Sequence, residues 1–154
     1  MLIIKTYIAK SPLHGLGLFA AEDIAADVSV WKFTESFDKT FTREEIEHLP
    51  ATTQIFLAKY AYKSRRTGRY LLDSDNARYF NHTESPNTAT RAEGHSPEDV
   101  IYTLRNIKAG EEITMDYNLQ EQGHAQDNIL ETFYEKYGLK DEVDPRLKKE
   151  ARLS

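Results

Sequence analysis

Two short polar motifs in the second half of the chain constrain its fold more than any other feature. The first reads Asn-Ala-Arg-Tyr-Phe-Asn-His-Thr-Glu-Ser-Pro-Asn over residues 76–87, and the second reads Ala-Gly-Glu-Glu-Ile-Thr-Met-Asp-Tyr over residues 109–117. Polar side chains this dense beside a proline are typical of a loop held in one shape. Each motif taken separately also fits a plain turn followed by an edge strand.

The composition is that of a globular protein with no cysteine chemistry. The chain has 154 residues, 40% of them apolar and 29% charged, which predicts one domain with one core. It contains no cysteine, so disulfides, a thiolate nucleophile and a cysteine-bound zinc site are excluded. The formal net charge of −5 disfavours nucleic acid as a partner and favours a basic peptide or protein.

The first residues do not predict export or membrane insertion. The apolar stretch over residues 1–8 is short and is interrupted by Lys5, so it fits neither a signal peptide nor a membrane span. We therefore expect a cytoplasmic protein without a membrane partner. The sequence gives no indication of the oligomeric state.

Alternating and β-branched stretches predict a mostly β fold with small helical insertions. A capping box, Thr42 to Glu45, predicts a short helix ending at Leu49, and residues 52–58 can continue as helix. The segment 64–68 between two short apolar runs predicts a hairpin. The predicted strands are residues 2–9, 28–33, 60–63, 69–73, 99–104 and 112–116.

The end of the chain has a different character. Asp127 is a candidate cap for a helix over residues 127–137 that Gly138 ends. Apolar residues at helical spacing on this segment, Phe133 and Tyr134 among them, are typical of a core-facing stripe. We predict one domain over residues 1–138 and a charged, frayed tail over residues 139–154.

A glycine motif near the start of the chain allows more than one interpretation. Residues 15–20, Gly-Leu-Gly-Leu-Phe-Ala, fit the dinucleotide-binding pattern, and Glu35 lies at a suitable distance beyond them. The context disagrees, because a loop containing Pro12 separates the first glycine from the preceding strand. The remainder of the chain also lacks the alternation of strand and helix that a doubly wound sheet requires. A plain glycine turn is the other alternative.

In order and separation, these motifs resemble those of SET-domain protein lysine methyltransferases. In that family Arg-Phe-x-Asn-His-x-x-x-Pro-Asn is followed by Gly-Glu-Glu-Leu-Thr-x-Asp-Tyr, and residues 78–87 and 110–117 match. Upstream, the family's Lys-Ser-x-x-x-x-Gly-x-Gly-Leu-Phe-Ala is matched by residues 10–20. The resemblance implies a SET fold of small sheets with a pseudoknot that brings residues 76–87 against 112–117, and a C-terminal helix.

The resemblance also implies a function and its site residues. The implied activity is methyl transfer from S-adenosyl-L-methionine to the amine of a lysine in a protein or peptide, through a narrow channel and without metal. Tyr117 corresponds to the catalytic tyrosine at the cofactor end of that channel. The implied cofactor contacts are His14, Gly15, Leu16, Gly17, Tyr60, Arg78, Asn81, His82 and Tyr117.

The sequence departs from the family pattern at positions that bear on the substrate channel. Glu84 stands where many members have a zinc-binding cysteine, so the helix over residues 127–137 is expected to replace the zinc-bound tail and close the site. The expected channel residues are Phe33, Thr90, Phe133 and Tyr134. Because Phe33 has no hydroxyl and Thr90 is small, we expect the channel to accept more than one methyl group on a lysine.

Two other functions remain open at this point. A non-catalytic SET-like module that binds a lysine-bearing peptide would need the same cavity. A metal-dependent hydrolase would use Asp73 and Asp75 with His82 or His95. The presence together of Tyr117 and the Asn81–His82 pair favours the enzyme.

Overall fold

The protein is built of three small β-sheets with short helices between them. We describe its fold from a computed structural model, which defines residues 1–117 and 128–139. The mostly β class predicted from the sequence is confirmed. The strands are β1 (Thr6–Lys10), β2 (Leu16–Ala20), β3 (Ser29–Trp31), β4 (Lys39–Phe41), β5 (Ala61–Lys63), β6 (Tyr70–Leu72), β7 (Asn81–His82), β8 (Thr88–Arg91), β9 (Val100–Thr103) and β10 (Glu112–Met115). The helices are α1 (Arg43–Glu47), α2 (Ala51–Tyr60), a 3-10 helix (Asn76–Tyr79) and α3 (Ile129–Lys136).

The first sheet holds the candidate site and has the order β1-β2-β10-β7. β1 and β2 form an antiparallel hairpin, β10 is antiparallel to β2, and β7 is parallel to β10. The predicted strand over residues 2–9 was wrong at its start, since β1 begins only at Thr6. Leu2 instead bridges to Trp31, and the Ile3 amide donates to the Val30 carbonyl, so the chain begins against the second sheet.

The second and third sheets each have three strands. Their orders are β3-β9-β8 and β4-β6-β5. The hairpin predicted on either side of residues 64–68 is confirmed, because β5 and β6 pair antiparallel from Ala61–Leu72 to Lys63–Tyr70. β4 was not predicted. It pairs with the outer edge of β6, and its three residues are too few to show an alternating pattern.

The first helix begins as the sequence predicted, while the last begins at Ile129, two residues after the predicted start. In the capping box of α1 the Glu45 amide donates to Thr42 Oγ1 at 3.1 Å, and the Thr42 amide donates to Glu45 Oε2 at 2.6 Å. The helix near the C-terminus is capped by Asn128, whose Oδ1 accepts from the Leu130 amide at 3.1 Å. The proposed cap Asp127 lies outside the described residues, as do residues 140–154 of the predicted tail.

Two hydrophobic cores lie on either side of the third sheet. The first packs under the first two sheets and contains Leu18, Trp31, Ile101 and Ile113. The second packs α1 and α2 against α3. Gln54 of α2 ties the second core together, because its amide donates to the Ile46 and Glu47 carbonyls and its carbonyl accepts from the Tyr137 hydroxyl.

Candidate active site

Strand pairing brings the two polar motifs together. β7 supplies Asn81 and His82, and its parallel partner β10 leads directly to Tyr117. The aligned pairs are Thr114 with Asn81 and Met115 with His82. Residues 76–87 therefore lie against residues 112–117, as the resemblance implied.

Tyr117 is fixed at both its backbone and its hydroxyl. The Tyr117 amide donates to His82 Nδ1 at 3.1 Å, and the two rings are 5.4 Å apart. Since Nδ1 accepts this hydrogen bond, the ring proton of a neutral His82 lies on Nε2. The Tyr117 hydroxyl donates to the Phe80 carbonyl, while 41% of the residue stays exposed. The phenol is thus oriented by Phe80 and by His82 of β7.

Asn81 is held by the half-buried carboxylate of Glu112, which the sequence interpretation missed. Asn81 Nδ2 donates to Glu112 Oε1 at 2.7 Å and to the His14 and Leu16 carbonyls at 3.1 Å. Glu112 Oε2 in turn accepts from the Ser11 hydroxyl at 2.9 Å. Within the described residues Asn81 Oδ1 has no hydrogen-bond partner, so it is available to accept a hydrogen bond from a ligand.

Gly17 is required by this network. A Cβ on Gly17 would lie 2.1 Å from Glu112 Oε1 and 3.1 Å from Asn81 Nδ2. Any larger residue would displace the carboxylate that orients Asn81. The glycine motif therefore serves the close packing of the loop over residues 11–16 against β7 and β10.

A cavity of about 220 Å³ opens beside Tyr117. Four predicted site residues line it: Tyr60 of α2, Arg78 of the 3-10 helix, Tyr134 of α3, and Tyr117 itself. Two further lining residues are Tyr62, which was not predicted, and Asp73, which was named from the sequence only as a possible metal ligand. The remaining lining residues are Ala58, Lys59, Ala61, Ala77, Phe80 and Met115.

Three predicted channel residues lie elsewhere. Phe33 is half-buried against the first core. Thr90 of β8 lines a separate cavity of about 20 Å³, on whose wall Tyr62 also lies. Phe133 is 4% exposed and belongs to the second core. Phe33 and Thr90 do not line the cavity beside Tyr117, whereas Tyr62 does, so the acceptance of more than one methyl group stays a prediction.

Arg78 is placed over an aromatic ring. Its guanidinium carbon is 5.3 Å from the ring centroid of Tyr79, a cation–π arrangement. Ion pairs of Arg78 with Asp73 or Asp75 are absent from the described part of the chain. The guanidinium is therefore available at the cavity wall.

Asp73 is a buried carboxyl on the cavity wall. It follows β6, is 6% exposed, and its Oδ1 has no hydrogen-bond partner in residues 1–117 and 128–139. Burial, with the nearby carboxylates Asp38 and Asp75, raises the pKa of Asp73 to about 8. Burial and the charge of Asp73 raise the pKa of the Tyr62 phenol well above its ordinary value.

Neither a three-residue metal cluster nor a membrane-spanning helix occurs in the described part of the chain. In residues 1–117 and 128–139 no three His, Asp or Glu side chains are close enough together to hold a metal ion. No helix in these same ranges is long and apolar enough to cross a membrane.

The chain is thus a mostly β protein in which two joined motifs place a fixed tyrosine beside a cavity. The SET domain family profile matches residues 15–118, more than half of the chain. The chain belongs to the SET-domain family.

Curated relatives agree with this assignment. The chain is 30% identical over 119 residues to histone-lysine N-methyltransferase 2D of Homo sapiens, covering 73% of this chain and 2% of the relative. It is 33% identical over 116 residues to histone-lysine N-methyltransferase set-2 of Caenorhabditis elegans, covering 71% of this chain and 7% of the relative. The chain thus spans only a small part of the length of either relative.

Solved structures share the fold. A candidate histone methyltransferase of Plasmodium falciparum superposes with a TM-score of 0.52 at 25% identity, over 74% of this chain and 93% of that chain. A humanized Chaetomium thermophilum Polycomb Repressive Complex 2 superposes with a TM-score of 0.57 at 23% identity, over 77% of this chain and 16% of that chain.

Proposed function

We propose that this protein is an S-adenosyl-L-methionine-dependent protein-lysine N-methyltransferase. The observation that carries the proposal is the position of Tyr117. Its hydroxyl is fixed by the Phe80 carbonyl at the wall of a cavity with aromatic sides, directly beside the Asn81–His82 motif. Membership of the SET-domain family and similarity to histone-lysine methyltransferases support the reaction class.

The loop over residues 14–17 and Asn81 fit the cofactor's chemistry. S-adenosyl-L-methionine supplies a methyl group on a positively charged sulfur and carries a free amino group. The open Asn81 Oδ1 is an acceptor for such an amino group, and Glu112 prevents the amide from turning its nitrogen outward. The carbonyls of His14 and Leu16 are already engaged by Asn81, so the loop contributes shape and backbone rigidity.

The cavity wall suits a lysine side chain. The methylene stem of lysine packs well against tyrosine rings, and its ammonium is attracted to their faces. Tyr60, Tyr62 and Tyr134 offer such rings around one cavity. The negative net charge of the chain favours a basic protein or peptide as substrate.

Tyr117 acts where the methyl group is transferred. In-line displacement requires the amine, the methyl carbon and the sulfur to be aligned at near-attack distance. A fixed phenol oxygen can hold a polarised methyl group by a weak C–H···O contact, and aromatic walls exclude water from the reacting atoms. Neither role requires a metal.

Calorimetry with S-adenosyl-L-methionine tests the cofactor site. We expect one molecule to bind per chain, with and without a chelator. Asn81→Ala should weaken binding by at least about tenfold, because it removes an acceptor for the charged amino group and frees Glu112. Asn106→Ala is the matched control, since the Asn106 Oδ1 only accepts from the Ala26 amide outside the cavity. Absence of binding, or binding lost with the chelator, contradicts the proposal.

A further inference from the structure

We propose that Asp73 receives the proton of the substrate lysine, so that the amine in the cavity is neutral when the methyl group is transferred. The inference rests on the proposed function and adds a catalytic residue to it. It addresses a requirement of the chemistry, because a lysine amine has a pKa of about 10.4 in water and its ammonium form has no lone pair for attack.

The position of Asp73 makes it the candidate acceptor. It is the sole acidic residue among the described residues that line the cavity, and it shares the wall with Tyr62 and Tyr117. Its Oδ1 is fully buried without a hydrogen-bond partner in the described part of the chain. A carboxyl oxygen left unpaired in the interior is costly unless a ligand or a proton satisfies it.

The other polar groups on the wall do not accept a proton near neutral pH. Lys59 and Arg78 are cationic donors. The Tyr117 phenol donates to the Phe80 carbonyl and is therefore protonated. The raised pKa of the Tyr62 phenol keeps it protonated as well. Tyr60 and Tyr134 contribute hydroxyls, which carry neither a carboxylate nor a basic nitrogen.

The charges around Asp73 favour its neutral form. Asp38 and Asp75 repel its ionised form, and Tyr62 lies beside it, while the Met1 ammonium and Arg78 only partly offset burial. When an ammonium enters beside an ionised Asp73, transfer of one proton turns a buried ion pair into two neutral groups. A site that disfavours charge therefore favours the reactive amine.

Atoms and electrons are conserved in the proton transfer and in the methyl transfer that follows it. One N–H bond of the ammonium breaks and one O–H bond forms on Asp73, which leaves the nitrogen lone pair free. That pair forms the bond to the methyl carbon while the carbon–sulfur electrons return to sulfur and neutralise its charge. The positive charge then resides on the methylammonium product, and Asp73 loses its proton to solvent before the next turnover.

The pH dependence of kcat/KM tests this role. A histone H3 peptide is the substrate, with S-adenosyl-L-methionine saturating. For the unmodified protein we expect kcat/KM to rise tenfold per pH unit below about pH 8, the pKa of Asp73, and then to level off. In Asp73→Asn the rise should move toward the pKa of free lysine, about 10. The variant should lose at least about tenfold at pH 7 and recover much of this loss at high pH.

The variant is expected to fold, since asparagine has nearly the same shape and removes a buried ionisable group. Because the folded-state pKa is raised, the stability of the unmodified protein should fall as pH rises from about 4 to about 8, and Asp73→Asn should lack this fall. At pH 5, where Asp73 is protonated, the variant and the unmodified protein should have the same thermal unfolding and the same cofactor affinity. An identical pH profile of kcat/KM in both proteins overturns the role of Asp73 and leaves the methyltransferase intact.

A second substrate tests the same point in the unmodified protein. Aminoethylcysteine replaces the lysine in the peptide, and its thioether lowers the pKa of the amine. If Asp73 takes the proton, the rising limb of kcat/KM stays near pH 8 for both peptides. A rising limb that shifts with the pKa of the amine overturns the inference. No transfer of methyl groups to either peptide, to total histones or to any protein of a cell lysate overturns the proposed function itself.

Discussion

Tyr117→Phe is expected to lower kcat by at least about a hundredfold while the Kd for S-adenosyl-L-methionine stays within about threefold. The substitution removes only the hydroxyl, which the Phe80 carbonyl fixes at the cavity wall. The contact of the ring with His82 and the backbone hydrogen bond to His82 Nδ1 remain. The substitution removes the hydrogen bond to the Phe80 carbonyl and, under the proposed function, the contact of the hydroxyl with the methyl group, so its effect should appear in turnover.

Tyr7→Phe is the matched control for this experiment. Tyr7 is exposed to a similar degree, 43% against 41%, and stacks on Phe19 in the β1–β2 hairpin, outside the cavity. Single-turnover measurements with both variants separate the chemical step from substrate binding. A loss in kcat of less than about tenfold in Tyr117→Phe would remove Tyr117 from the mechanism.

Phe133→Ala should mainly lower stability and Tyr134→Ala should mainly change ligand affinity, although the two residues are neighbours on α3. Phe133 is almost fully buried in the second core and packs 5.8 Å from the Tyr137 ring. Truncating it should cost about 3–5 kcal/mol, because a large cavity is left between α2 and α3. Tyr134 lies on the cavity wall, so Tyr134→Ala should change substrate or cofactor affinity by at least about fivefold at a smaller cost in stability.

Thermal unfolding and ligand binding on both variants separate these effects. Phe133→Leu is the control for Phe133→Ala, since it keeps most of the apolar volume and should recover most of the stability. Equal stability losses for Phe133→Ala and Tyr134→Ala, with unchanged binding in the latter, would show that α3 serves the core alone. Loss of binding in Phe133→Ala without loss of stability would contradict its placement in the core.

Deleting the last helix would remove part of the second core. In the structure Ile129 and Leu130 are buried with Leu57 and Tyr70, and the Ile129 amide donates to the Tyr70 hydroxyl at 3.2 Å. Deletion would expose this whole core, so point variants of α3 are the more informative test.

Local signals in the sequence were sufficient for much of the fold. The capping box at Thr42, the hairpin around residues 64–68 and strands β9 and β10 follow from spacing and turn chemistry within a few residues. β4 and the start of β1 cannot be predicted from local signals, because their pairing depends on residues distant in the sequence. A strand of three residues carries too little periodicity to be distinguished from a loop.

The site residues also differ in whether local sequence or distant contacts identify them. The motifs identified Asn81, His82 and Tyr117, and the pairing of β7 with β10 joins them. Glu112 was not identified as a site residue, and Asp73 was named only as a possible metal ligand, because their places at the site come from contacts across the fold and, for Asp73, from burial. Tyr62 was not identified either, because Tyr60 ends α2 and Tyr62 lies in β5, so the spacing of the two residues does not show that they line one cavity.

The central claim is that the protein transfers methyl groups to lysine, and mass spectrometry of a methylated substrate measures this directly. Purified protein is incubated with S-adenosyl-L-methionine carrying a heavy methyl group and with total histones or a cell lysate. The proposed function predicts heavy methyl groups on lysine amines, absent from the Tyr117→Phe reaction. Binding of the cofactor and of a lysine peptide without any transfer of label would contradict the claim and indicate a non-catalytic module instead.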